Sequence, residues 1–263
     1  MQSIMRLVHG ALAVLVALTL LLIPSSLFAA SFTDGLIVYL PFDEGNGDVA
    51  KDLSGNKHDG KIDKPEWVKG KFEKALKFKG ANSGTFVTVE STPKLNVNTM
   101  TFMAWVNADT WDGTRQIVGK SVHGGCGGRV QYGVFSEGGV FKVRFATDPA
   151  SADISTAHPK TKDWLHVAVT NDGKVGKIFF DGKEAVQGKV SGKLTANEDP
   201  WRVGQDCQRE NYIFAGIIDD VRLWNRALSE KEINTYKEKG AEVLAVNPQG
   251  KLPMAWGQIK RQY

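Results

Sequence analysis

Phe214-Ala-Gly-Ile-Ile-Asp-Asp-Val-Arg-Leu-Trp-Asn-Arg-Ala-Leu-Ser229 is the stretch on which the reading of this chain turns. Ile217–Trp224 has the apolar, β-branched character of a core strand. Two consecutive carboxylates, Asp219 and Asp220, sit inside it. Neighbouring strand residues point to opposite faces, so the two acids cannot both serve one site by side chain. One is expected at the site and the other in a salt bridge with a nearby lysine or arginine. Ser229-Glu-Lys-Glu232 is a capping box, after which Ile233 and Tyr236 fall on one helical face and Gly240 supplies a stop. A counterpart lies near the other end. Leu40-Pro-Phe-Asp-Glu-Gly-Asn-Gly47 leads into Leu53-Ser-Gly-Asn-Lys-His-Asp-Gly60. Both regions join a strand to carboxylates and turn residues. The first and last core strands are therefore expected to meet around a buried polar or metal-filled corner.

Between them the apolar residues alternate with period two and are punctuated by glycine and asparagine, the pattern of an all-β chain. Strands are predicted at Leu36–Phe42, Ala75–Phe78, Phe86–Val89, Met100–Val106, Arg115–Gly119, Gln131–Phe135, Val140–Phe145, Trp164–Thr170, Lys177–Phe180, Trp201–Val203 and Ile217–Trp224. Asp181-Gly182 closes a hairpin onto Glu184-Ala-Val, and Ser136-Glu-Gly-Gly139 closes another. Trp105, Trp164, Phe78, Phe102, Phe179 and Trp224 fall within strand patterns and are expected in the core. His166, in mid-strand, is expected to be structural.

Residues 1–30 read as a secretory signal: Arg6, then an apolar run from Ala11 to Ile23, then small residues to Ala30. An uncleaved N-terminal membrane anchor is the alternative. Residues 31–240 form one domain on this reading, and 241–263 form a C-terminal tail with Pro248, Gly250 and Pro253. The formal charge is +4, with lysines and acids interspersed and no basic block to track a phosphate backbone, so nucleic acid is a poor partner. Two cysteines in an exported chain, Cys126 and Cys207, read as a disulfide. Such a bridge would set the loops His123–Arg129 and Gln205–Tyr212 side by side on one rim.

Phe42-Asp43-Glu44-Gly45, Ser54-Gly-Asn56 with Gly60, Ala75-Leu-Lys-Phe78, Phe102-Met-Ala-Trp-Val106, Trp164-Leu-His-Val-Ala-Val169 and Gly216–Ser229 occur here in one order. That series resembles the laminin-G-like, concanavalin A-like jelly-roll family over roughly Leu36 to Lys239. The resemblance implies two antiparallel sheets packed face to face, a structural calcium and frequent carbohydrate binding.

The residues meet that expectation part of the way. Calcium takes six to eight oxygens from carboxylates, amides, carbonyls and water. Asp43, the loop Ser54–Gly60 through Asn56 and the Lys57 carbonyl, and Asp219 (with Asp220 as alternative) form the expected ligand set. Lys57 and His58 stand where the family commonly has glycine and asparagine, and a cation beside the ion costs affinity. A metal-free corner, in which backbone amides bond Asp43 and Asp219, is the competing arrangement. For a glycan, aromatic faces and hydrogen-bonding side chains are needed. Trp111, in the polar turn Asp109-Thr-Trp-Asp-Gly113, and Arg129, Tyr132, Asp206, Arg209 and Tyr212 are the candidates. Family glucanases carry a Glu-x-Asp-x-Glu strand for retaining chemistry. No such triplet occurs, nor does H-E-x-x-H or G-x-S-x-G. The expected function is a secreted binding module for a glycan or an extracellular protein, without catalysis.

Overall fold

A computed structural model of the chain describes residues 31–121, 130–148, 150–159, 163–205 and 210–246. The signal segment, Cys126, Cys207, Arg129, Asp206, Arg209 and the tail from 247 onward lie outside these residues. The bridge between the cysteines is therefore neither seen nor contradicted.

Two antiparallel sheets enclose one core. The first runs β14 (Lys183–Lys189), β13 (Val175–Phe180), β12 (Leu165–Asn171), β7 (Met100–Ala108), β16 (Ala215–Trp224), β5 (Lys74–Lys79) and β4 (Glu66–Lys69). β1 (Leu36–Leu40) also pairs with β16. The second runs β11 (Ala152–Ala157), β10 (Val140–Phe145), β9 (Val130–Glu137), β8 (Arg115–Ser121), β15 (Trp201–Val203), β6 (Phe86–Val89), β3 (Gly60–Asp63) and β2 (Val49–Ala50). This is the expected all-β jelly-roll sandwich. Every predicted strand is present. β2, β3, β4 and β11 were not foreseen, because short segments such as Glu66-Trp-Val-Lys69 carry too few apolar residues to set a period. Trp164 is only half-buried, just ahead of β12.

The turns follow backbone chemistry. Asp181 and Gly182 both take positive φ (50° and 81°), as do Gly138 and Gly139 (60° and 83°). That is the geometry whose twist matches a two-residue hairpin.

Among the described residues one α-helix, α1 (Glu230–Lys237), packs on the outer face of the first sheet. Its capping box is complete: the Glu232 amide donates to Ser229 Oγ, and the Ser229 amide to Glu232 Oε2. Ile233 and Tyr236 are buried with Phe32, Tyr39, Met103, Ala168, Phe179 and Trp224. The helix stops at Lys237, before the predicted Gly240. Ala241–Val246, assigned to the tail by sequence, form a 3-10 helix whose Ala241 and Leu244 pack on the same cluster. Ser229→Ala should lower stability by about 1 kcal/mol in a urea titration. An unchanged midpoint would show that packing alone holds the helix start.

Candidate functional site

The corner foreseen in the sequence is a junction in the first sheet. One side of β16 pairs with β5 along Ala215–Ile218 and with β1 along Val221–Trp224. Asp219 and Asp220 occupy the gap where one partner ends and the other begins. On the opposite side the ladder to β7 slips between Asp219 and Arg222, and Asp220 takes a φ of +57°. This bulge re-aims the two acids.

Asp219 has no exposed surface. Its Oδ2 accepts the amides of Lys71 (2.8 Å) and Phe72 (3.0 Å), from the turn between β4 and β5. Its Oδ1 is buried without a hydrogen-bond partner. Gly70 lies against this carboxylate so closely that an added Cβ would strike Asp219 Oδ2 and the carbonyls of Phe72 and Lys74. Only glycine fits. Asp43, just past the end of β1, accepts the Lys74 amide at 3.3 Å. Burial pushes the Asp43 carboxyl up to about 6; the Lys74 amide opposes this, and Asp220, Glu44 and Glu73 add to it. Burial likewise pushes Asp219 up to about 8, with the Phe72 and Lys71 amides opposing and Asp220 and Asp43 adding. The corner is thus a cluster of carboxyls held away from water, where burial favours their protonated forms.

Asp220 lies on the same helix-covered face of the sheet but is turned by the bulge to other partners. Its Oδ2 lies 2.6 Å from Arg222 Nη2, and its Oδ1 accepts Tyr39 Oη–H at 2.8 Å. The salt bridge expected for one of the consecutive acids is made by Asp220.

Asn56 and Lys57 are not brought to this corner. Asn56 Nδ2 donates to the carbonyls of Leu36 and Ile37, at the opposite end of β1 from Asp43, and its Oδ1 accepts Lys94 Nζ at 2.7 Å. Lys57 is exposed with a φ of 64°. The loop is organised instead around Asp52, which accepts the amides of Tyr39, Ser54 and His58. The turn Gly70–Lys74 takes the place this loop was expected to fill. Its signal, Gly70 beside a run of alternating lysines, resembles an ordinary solvated turn.

The glycan candidates also divide. Trp111 is 7% exposed and packs edge-on against Phe141 and Phe214, with His158 stacked on it at 5.7 Å. It plugs the sandwich end, while its polar neighbours Asp112 and Gly113 stay in water. Tyr132 is fully buried on β9, opposite Phe145 and Lys120, on the inward face it shares with Val134. Neither ring presents a face to a sugar. Tyr212 is half-buried in the 3-10 turn Glu210–Tyr212. Beside it, Arg115 Nη1 donates to the exposed Asn211 carbonyl at 3.4 Å. Among the described residues, this is what remains of the expected rim.

His166 is 1% exposed, edge-on to Trp105, and its Nδ1 lacks a hydrogen-bond partner. Burial holds its pKa well below the ordinary imidazole value, with Arg222 and Lys237 adding to the effect. It stays neutral inside the fold.

The sequence matches the profile of the concanavalin A-like lectin/glucanases superfamily over residues 80–234, and the chain belongs to that family. No curated protein is similar enough in sequence to match it. Solved structures share the fold at low identity. Domain 4 of AbnA, a GH43 extracellular arabinanase from Geobacillus stearothermophilus solved with arabinotriose, is 19% identical with a TM-score of 0.61. The match covers 76% of this chain and 97% of that one. The binding domain of Paraclostridial Mosquitocidal Protein 1 is 17% identical with a TM-score of 0.62, over 77% of this chain and 52% of that one. The binding domain of botulinum neurotoxin DC, solved with rat synaptotagmin II, is 14% identical at 0.60, over 78% and 51%. The chain therefore spans about half the length of the toxin domains and nearly all of the arabinanase domain.

Proposed function

We propose that this chain is an exported, non-catalytic carbohydrate-binding module whose Asp43–Asp219 corner holds a calcium ion. The observation that carries the glycan reading is the extent of the likeness to the arabinanase domain, solved with arabinotriose, of which nearly all is matched. The surface assigned to the ligand is the sandwich end at Tyr212, Asn211 and Arg115. The Arg129, Asp206 and Arg209 loops would extend it if Cys126 and Cys207 are bridged.

The ion reading rests on the buried, unpartnered Asp219 Oδ1 and on the chemistry of its surroundings. Carboxylates and backbone carbonyls are hard oxygen donors, and calcium prefers them. Among the described residues no group of three His, Cys, Asp or Glu side chains is placed to hold a metal. The two carboxylates would therefore be completed by main-chain oxygens of the Gly70–Lys74 turn and by water. When bound, the cation neutralises the corner. The protein's own part is to bring the ends of β1 and β5 together and keep both acids in place.

A screen of glycans and polysaccharides in calcium should find one binding class. Tyr212→Ala should weaken that binding about tenfold, because stacking on an aromatic face is lost, while leaving the melting temperature unchanged. Trp111 is the wrong residue for this test, since truncating it opens the core. Failure to bind any glycan, with capture of a purified extracellular protein instead, would turn the reading to adhesion.

A further inference from the structure

The acidic junction is mechanically joined to the end of α1, although no ligand candidate belongs to the helix. Two arms make the connection. On the first, the turn whose Lys71 and Phe72 amides hold Asp219 also projects Lys71 Nζ over the Trp105 ring, 4.2 Å from its centre. Trp105 Nε1 donates to the carbonyl of Lys237, the last residue of α1, at 3.0 Å. Phe72 lies against Gly240, where a Cβ would come within 3.1 Å of its ring.

The second arm runs through Asp220. Arg222, fully buried and paired with Asp220, donates from Nη1 to the Tyr236 carbonyl at 2.7 Å and from Nη2 to the Lys239 carbonyl. Carbonyls at a helix end have no partner within the helix. Here three of them, on Tyr236, Lys237 and Lys239, are taken by strand side chains anchored at or next to the junction. The Glu238 amide bonds back only to Tyr236. The helix therefore ends where Trp105 and Arg222 receive it, not where a glycine turns the chain.

We propose that cation binding between Asp43 and Asp219 sets how firmly the C-terminal end of α1, and the 3-10 turn after it, is docked on the sheet. The inference rests on the calcium reading above. Without the cation, nothing joins Asp43 to Asp219 and the Gly70–Lys74 turn loosens. Lys71 and Phe72 then withdraw from Trp105 and Gly240. With the cation, the turn is fixed and the helix end is clamped. Docking and ion binding are linked reciprocally, so anything that undocks the helix must weaken the ion by the same factor.

Amide hydrogen exchange on the whole chain, in calcium and in chelator, tests this, with calcium binding measured in parallel by calorimetry. Calcium should slow exchange of the helix-end amides of residues 233–240 by at least about tenfold, together with the turn 70–74, with the β9–β10 hairpin unaffected. The Trp105→Phe variant keeps the ring but removes the donor to Lys237. It should weaken calcium by at least about fivefold although it removes no ligand. Calcium that binds and protects the turn, yet leaves the helix end unchanged, would overturn the coupling and spare the calcium reading. An unaltered calcium affinity in a folded Trp105→Phe variant would overturn it too. If no calcium binds, both the site and the coupling fall.

Discussion

Arg222→Met should cost about 3–5 kcal/mol of stability, the range seen when one partner of a buried ion pair is removed. Asp220 is left with a charge in the core and Tyr39 Oη as its remaining described side-chain partner. The Tyr236 and Lys239 carbonyls lose the guanidinium donor at the same time, Tyr236 keeping the Lys239 amide. Methionine fills much of the volume, so the loss reflects the uncompensated charge and the freed carbonyls more than a cavity. Asp220→Asn in the same background should recover part of the deficit. Asparagine tolerates the positive φ at this position and needs no counter-ion. Urea denaturation of the parent, both single variants and the double variant completes the cycle. An Arg222→Met variant within 1 kcal/mol of the parent, a limit of about a quarter of the expected loss, would sink the argument.

In chelator, the parent should lose stability as pH rises from about 4 to about 8, and Asp219→Asn should abolish most of that loss. The folded pKa of Asp219 is raised from 3.8 to about 8. Between those values the unfolded chain has released the proton and the folded chain has kept it. Stability therefore falls with pH, since the native state binds more protons. Asp43, raised to about 6, contributes with the same sign over the lower part of the window. The difference between parent and variant at pH 8 should be about 2–5 kcal/mol in favour of the variant. His166, buried and held neutral, acts in the opposite direction below its ordinary pKa. Subtracting the variant's profile removes it. Saturating calcium should raise the parent's melting temperature by several degrees and leave the variant's unchanged, because a ligand bound only by the folded state stabilises it. A parent as stable at pH 8 as at pH 5 without metal would refute the charged corner.

The strands and the capped helix were legible because each follows a local rule: alternation, a paired turn, a box of side chains. That one of Asp219 and Asp220 would form a salt bridge was legible, but the bulge at Asp220, not the alternation of the pleat, is what separates their partners. Asn56 and Lys57 were misplaced because a glycine-rich loop beside the first strand says nothing about which end of that strand it lies along. Three amides donating to Asp52 settle that, and this is tertiary information. Trp111 shows the limit from another side. Its neighbours are polar and exposed, yet the ring turns inward because the sandwich end needs a plug. Tyr132 could have been read correctly. It alternates in step with Val134, and inward Val134 implies inward Tyr132. The clamp at the helix end was out of reach, because Arg222 and Tyr236 meet only when the last strand and the helix fold back together.

The place of β16 also governs the order in which the molecule can assemble. It is the shared partner of β1, β5 and β7, yet it follows all three in the sequence. Contacts such as Arg222 to Tyr39 span 183 residues. Until Ala215–Trp224 emerge, the first sheet is three pieces, β14-β13-β12-β7, β5-β4 and β1 alone, and β1 has no strand to pair with. Topologies dominated by such distant pairings fold slowly and expose sticky intermediates. The second sheet does not wait for β16, which is the strand that turns three separate pieces into the face on which the other sheet can pack.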